Sequence, residues 1–324
     1  MPTVAPLDLS GHCIAAVFLG EVPFFALADG TIHRLDHGHK SAAVHDGLLS
    51  QTFDPAGNRL ITGGEDGKVF ATAADGSSTL LGEAGRKWIT AVAAGPQGAV
   101  AYGSNRTAWV RFADGRLKEF QHPRSVEGLA FSPKGMRFGV ARYNGATLHF
   151  PATDGKPAEL EWAGAHTGIT FSPDGNFVVT TMQENALHGW KLADGKHMRM
   201  SGYPGKVKSL SWSAKGRWLA SSGAPAAIVW PFHFKDGPMG KAPLELGTRG
   251  NTMVSAVACH PSEEIVAIGY QDGMVLAARF ADQKEVLLRR PGKGAITSMM
   301  WAKDEKRIVF GSDAGDCGVI DISV

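Results

Sequence analysis

The sequence predicts an all-β fold of eight four-stranded units, and three observations predict it. A short turn phrase recurs along the whole chain. Each recurrence sits among apolar strands joined by Asp-Gly or Asn-Gly dipeptides. No segment has helical periodicity. The clearest copies of the phrase are FSPKGMRFGV, starting at Phe131, and FSPDGNFVV, starting at Phe171. Proline presets one backbone angle of the turn, glycine takes the positive one, and a β-branched strand follows.

Weaker copies start at Phe18, Phe53, Ala94, Trp212, Cys259 and Trp301, which makes eight. They recur at intervals of about 35 to 47 residues, the period of propeller blades with four strands each. Each unit opens with a strand of small residues, such as VEGLAF, GITF or SAVAC, suited to a crowded axis. A tight turn and a second apolar strand follow. Hairpin dipeptides lead to the third strand: Asp29-Gly30, Asp66-Gly67, Asn144-Gly145 and Asp272-Gly273. Another set leads to a more polar outer strand: Asp75-Gly76, Asp114-Gly115, Asp154-Gly155, Asp194-Gly195 and Asp236-Gly237.

The last copy stops after its third strand. The N-terminal Ala5-Pro6-Leu7-Asp8-Leu9 matches the outer strand Ala242-Pro243-Leu244-Glu245-Leu246 of the sixth unit. The N-terminal segment is therefore expected to pair into the last blade and close the ring, leaving only short edges. Pro6 is tolerable there because an outer strand has a free edge. The expectation is one domain, residues 1–324, an eight-bladed β-propeller. The alternative is seven blades with the Phe18 copy as an appendage.

Hydrophobic residues make up 44% of the chain and charged residues 20%, enough apolar surface for a packed core. A net charge of +2 without a basic block argues against a general nucleic-acid binder. Cys13, Cys259 and Cys317 are too few and too scattered for a disulfide framework and fit a reducing compartment. No basic residue precedes the first apolar run, and no apolar run approaches the ~20 residues that span a bilayer. A soluble, cytoplasmic monomer with no membrane contact is expected.

Over nearly its whole length the chain resembles the WD40-repeat family. The FSPDG and FSPKG turns, Gly63-Gly64-Glu65-Asp66-Gly67, and the strand ending Gly189-Trp190-Lys191-Leu192 carry the resemblance. None of the eight tryptophans is followed by Asp, so the name-giving dipeptide is absent. The nearest approach to the family's buried His–Ser/Thr–Asp–Trp network is His166, Thr180 or Thr181, Asn185 and Trp190. The terse repeats look like a stand-alone bacterial member. The resemblance implies a rigid, non-enzymatic scaffold or adaptor that binds a protein or peptide partner on one face.

Motifs of catalysis are missing: there is no HExxH, GxSxG or Walker-type loop, and Gly240-Lys241 is followed by Ala242 where a hydroxyl would be needed. No inner strand offers paired carboxylates, which leaves a propeller hydrolase as the weakest alternative. No cofactor is expected. Four histidines and two aspartates between His33 and Asp46 raise a different reading, a metal-handling protein that binds Zn²⁺ or Ni²⁺ through His37, His39 and His45. His33, His149 and His188 share one place in third strands, where other units carry Phe70, Val110 or Leu276. They are expected to be packed and hydrogen-bonded.

The family's geometry opens two sets of loops on one face. Those between second and third strands contribute Asn105, Arg106, Arg142, Tyr143, Met182 and Tyr270. Those entering inner strands contribute Arg86, Lys87, Trp88, Arg124, Lys206 and Lys293. Arginine and aromatic side chains dominate binding hot spots. An acidic peptide or acidic protein surface is the expected partner, with Trp88, Arg106, Arg124, Arg142, Tyr143, Met182, Lys206 and Tyr270 as its contacts.

Overall fold

The computed structural model describes residues 2–323, and the fold is an all-β propeller with one short 3₁₀ turn at Pro96–Gly98. β1 (Thr3–Asp8) comes first. β2 (Cys13–Leu19), β3 (Val22–Leu27), β4 (Thr31–Leu35) and β5 (His39–Ala43) form a sheet, as do β6 (Leu48–Asp54), β7 (Arg59–Gly64), β8 (Lys68–Ala73) and β9 (Ser78–Glu83). The next holds β10 (Ala91–Ala94), β11 (Val100–Ser104), β12 (Thr107–Arg111) and β13 (Leu117–Gln121). A six-stranded sheet follows: β14 (Gly128–Phe131), β15 (Phe138–His149), β16 (Ala158–Phe171), β17 (Phe177–Met182), β18 (Leu187–Lys191) and β19 (His197–Met200). β20 (Leu210–Trp212), β21 (Trp218–Ser221), β22 (Ala227–Pro231) and β23 (Leu244–Leu246) make another, and so do β24 (Val254–Cys259), β25 (Ile265–Tyr270), β26 (Val275–Arg279) and β27 (Glu285–Arg289). The last sheet joins β28 (Ile296–Trp301), β29 (Arg307–Ser312) and β30 (Asp316–Asp321) to β1.

Hydrogen bonding thus groups the described strands into seven sheets, which corrects the expectation of eight separate blades. The reason also differs from the one attached to the seven-blade alternative. The Phe18 copy is a complete sheet, not an appendage. The FSPKG and FSPDG copies instead share one sheet through unusually long strands. β15 reverses within itself at Asn144 and Gly145, with φ of 63° and 126°. Its first half pairs with β14 and its second half with the start of β16. The end of β16 then serves as the inner strand of the next copy and pairs with β17. All eight repeats are present, distributed over seven sheets.

β1 runs antiparallel to β30, from Thr3 opposite Asp321 to Asp8 opposite Asp316, so the N-terminal segment does supply the missing outer strand. Pro6 lies opposite Gly318 on the strand at the sheet's edge.

The chain divides into two compact units. One comprises Met1–Ala28, Ile32–Ser41 and Met200–Val324, the other Asp29–Thr31 and Ala42–Arg199. In the second, Ala91 and Ala93 of β10 pack with Leu129, Phe138 and Val140 from the following copy. Small inner residues let the larger aliphatic and aromatic groups fill the wedge, each large side chain contributing about 1.5–3 kcal/mol on burial. In the first unit, Val229 and Leu246 meet Val257, Ile268 and Leu276 in the same manner.

The recurring turn phrase is a hydrogen-bonded clamp. The Ser172 amide donates to Phe177 O at 2.9 Å, and the Phe177 amide returns a bond to Ser172 Oγ at 2.9 Å. Ser172 Oγ donates to Asp174 Oδ1 at 2.5 Å, and that carboxylate also accepts the Asn176 amide. Ser132 and Ser213 are buried at equivalent places, and so is Asp54 in an earlier copy, whose carboxylate accepts from the Gly57 amide at 3.1 Å and Arg59 Nε at 2.8 Å.

A Cβ at Gly145 would meet a positive φ and collide with the Leu160 carbonyl. Gly145→Ala should therefore lower stability by about 1–3 kcal/mol, read as an earlier midpoint in urea unfolding.

Candidate functional site

Successive loops of the second unit build an exposed, cationic and aromatic face. The loop into β10 places Ile89 fully inside and Trp88 outside, 57% exposed, because consecutive residues of extended chain point in opposite directions. Arg86 and Lys87 precede it, both exposed. The Thr90 amide donates to Gly103 O at 3.0 Å, tying this loop to β11. The turn between β11 and β12 carries Asn105 and Arg106. Asn105 adopts φ of 52°, a conformation asparagine tolerates better than most residues. Two backbone bonds fasten that turn to the next loop: the His122 amide donates to Arg106 O at 2.8 Å, and the Val126 amide to Asn105 O at 2.7 Å. Arg124 projects from the fastened loop, its guanidinium 6.0 Å from the Tyr143 ring, and Tyr143 is 50% exposed. Arg86, Lys87, Arg106 and Arg124 make no ion pair among the described residues, so their charge is available to a ligand.

Three expected contacts belong elsewhere. Arg142, Met182 and Tyr270 are buried. Each is the last inward-facing residue of a second strand, not part of the turn beyond it. Arg142 Nε donates to Thr147 Oγ1 at 2.9 Å, its Nη1 to Tyr143 O at 2.9 Å, and its Nη2 pairs with Glu159. The Tyr270 hydroxyl donates to Gly247 O, and burial raises its pKa. Lys206 is exposed in the first unit, and Lys293 is exposed there but pairs with Asp8 at 3.0 Å.

The three histidines expected to bind metal face different partners in the structure. The His45 Nδ1–H donates to the Asp66 carboxylate at 3.1 Å, and its Nε2 accepts from Thr62 Oγ1 at 2.9 Å. Both ring nitrogens are therefore spent inside the fold. His39 turns to His33, with Nε2 2.8 Å from Nδ1 and the rings stacked. The His37 side chain is 99% exposed with φ of 46° at its backbone. No group of three or more His, Cys, Asp or Glu among the described residues is arranged to hold a metal ion.

His45, Thr62, Asp66 and the edge-on Phe70 form a buried polar network that sequence reasoning missed, because phenylalanine stands where a tryptophan was sought. Within the anticipated set, His166 Nδ1 lies 2.7 Å from Thr180 Oγ1 and its ring lies 5.7 Å from that of Trp190, while Nε2–H donates to Trp162 O at 3.0 Å. A third network substitutes tyrosine for histidine. Trp230 Nε1–H donates to Tyr203 Oη at 2.6 Å, Tyr203 to Ser221 Oγ at 2.7 Å, and Ser221 to Ile228 O at 2.9 Å.

Family models find the same repeats. The model for the WD domain, G-beta repeat, matches residues 28–71 and 196–228, and that for the anaphase-promoting complex subunit 4 WD40 domain matches residues 257–324. Over those residues the chain is similar to WD40-repeat β-propellers. Telomerase protein component 1 of Rattus norvegicus is 22% identical over 204 residues, 61% of this chain and 7% of that protein, so the match spans a small part of its length. The crystal structure of the computationally designed Ika8 protein superposes with a TM-score of 0.77 at 21% identity, covering 97% of this chain and 98% of that one. The designed protein shares the fold.

In this propeller the third-strand histidines are packed as expected, but not uniformly hydrogen-bonded. His149 Nε2 lies 3.3 Å from His122 Nε2. His188 is fully buried with no hydrogen-bond partner among the described residues at either ring nitrogen, stacked on Trp162 at 4.1 Å and on His197 at 5.2 Å. Desolvation lowers the pKa of His122 and His149 to about 4, and that of His188 to about 3.

Two outcomes follow from this geometry. Arg142→Ala should destabilise the fold by about 1–3 kcal/mol in urea unfolding, since it strands a buried hydrogen-bond network. The unfolded histidines titrate near 6.5 and the folded ones lower, so the unfolded chain binds more protons in between. Stability should be full above about pH 6.5 and fall as pH drops through 4 toward 3. Thermal melts across that range should show a smaller loss for His188→Phe.

Proposed function

We propose that this WD40 propeller is a non-enzymatic interaction module whose second unit binds an acidic segment of a protein partner. One observation carries the reading: Arg86, Lys87, Arg106 and Arg124 are exposed without ion pairs, on loops that also present Trp88 and Tyr143. Unpaired cations lose only water on binding a carboxylate, whereas a cation already in an ion pair must first give up its partner. Trp88 and Tyr143 add apolar area with a directional polar tip, the combination common at binding hot spots. WD40 propellers commonly act as binding platforms, which supports the same class of function. The buried Arg142 holds the turn at Tyr143 from beneath through its bond to the Tyr143 carbonyl.

Selection of displayed peptides on the purified protein should return sequences rich in Asp and Glu. Their affinity should fall at least tenfold for Trp88→Ala/Arg106→Ala/Arg124→Ala and weaken as salt is raised. Neutral or basic selected peptides, or undiminished binding by the folded triple variant, would overturn the reading.

A further inference from the structure

Two of the three cysteines are neighbours in space. Cys13 in β2 and Cys317 in β30 are both fully buried in one cluster with Ala16, Phe25, Leu27 and Val309 of the first unit. Cys317 lies opposite Leu7 of the N-terminal strand β1, and Cys13 opposite Leu27 of β3. Gly311 of β29 makes the room. A Cβ there would collide with Cys13 Sγ and stand 3.4 Å from Cys317 Sγ, so both sulfurs occupy one hollow. Thr297 Oγ1 lies 2.5 Å from Cys13 O and 3.0 Å from Gly311 O, which holds β2 beside that hollow. The Cys13 thiol donates to Ala15 O at 3.3 Å, and the nearness of the two sulfurs raises the pKa of Cys13 and lowers that of Cys317. Cys317 is thus the more readily ionised of the two, and the thiolate is the reactive form.

We propose that Cys13 and Cys317 form a reversible disulfide that staples β2 to the sheet completed by β1. Hydrogen peroxide is the oxidant. The Cys317 thiolate attacks one peroxide oxygen, the O–O bond breaks, and the departing oxygen leaves as water after taking a proton. The resulting sulfenic acid is attacked by the Cys13 sulfur. The S–S bond forms, the S–O bond breaks, and hydroxide leaves with the Cys13 proton as a second water. Two thiols are oxidised and one peroxide is reduced. β1 is a mostly exposed edge strand, and its displacement opens the way to Cys317. Cys259 is an internal control: its thiol lies against Ser211 O at 3.3 Å, and burial pushes its pKa up to about 12.

The experiment treats native protein with hydrogen peroxide, titrates free thiols in denaturant, and maps linked peptides by mass spectrometry without reduction. Free thiols should fall from three to one. The Cys13 and Cys317 peptides should be joined, and dithiothreitol should restore all three thiols. The Cys259→Ala variant should yield the same linked pair. Persistence of three thiols in native protein, at a dose that oxidises the urea-unfolded chain, would overturn the proposal. A linked peptide containing Cys259 would do so too.

Discussion

Everything in this fold depends on one constraint: a four-stranded sheet has two faces and no core of its own. Burial comes only from neighbouring sheets, as in other repeat arrays. That is why inner strands carry alanine and glycine while the bulky groups gather between copies, as Ala91 and Ala93 do with Phe138 and Val140. The same constraint gives the N-terminal strand its importance. β1 adds few buried side chains, yet it supplies the hydrogen bonds that the outer side of β30 would otherwise lack. A chain built this way depends on its turns, because each turn sets the register that brings one apolar stripe against the next.

The turns were the most legible part of the sequence. FSPDG could be read as a turn from proline and glycine alone, and its recurrence set the number of repeats. The likeness of Ala5–Leu9 to Ala242–Leu246 was enough to place the N-terminal segment on β30. The number of sheets was not legible. It depends on β15 and β16 continuing through positions where other copies break, and β15 continues because Asn144 and Gly145 reverse the chain while its ladder bonds persist. Composition does not distinguish a continuous ladder from two joined end to end.

The proposed binding face was legible loop by loop but not residue by residue. Arg142 and Tyr143 are adjacent, and strand alternation allows only one of them to point outward. Without the register, both looked like outward turn residues. In the structure it is the arginine that goes inside, because Thr147, Glu159 and the Tyr143 carbonyl satisfy its donors. Tyr270 and Met182 fail for the same reason of position, at strand ends whose inward sense depends on a register shift. His45 misled in the opposite direction. It sits in a segment dense with histidine, but its place just before an inner strand brings it to Asp66 and Thr62.

Polar groups inside this propeller therefore fall into two kinds. Those with complete partners, such as His45 and Tyr203, tie one strand to the next and fix a unique arrangement. Those without, above all His188, rest on aromatic stacking and stay neutral because the site disfavours charge. The exposed face has neither demand. Turn residues owe nothing to the ladder once their backbone bonds to the neighbouring loop are made, as Asn105 and Arg106 make theirs to Val126 and His122. Their side chains are then free to carry charge at no cost to folding. The side chains of these loops can thus change while the buried networks beneath them keep the fold the same.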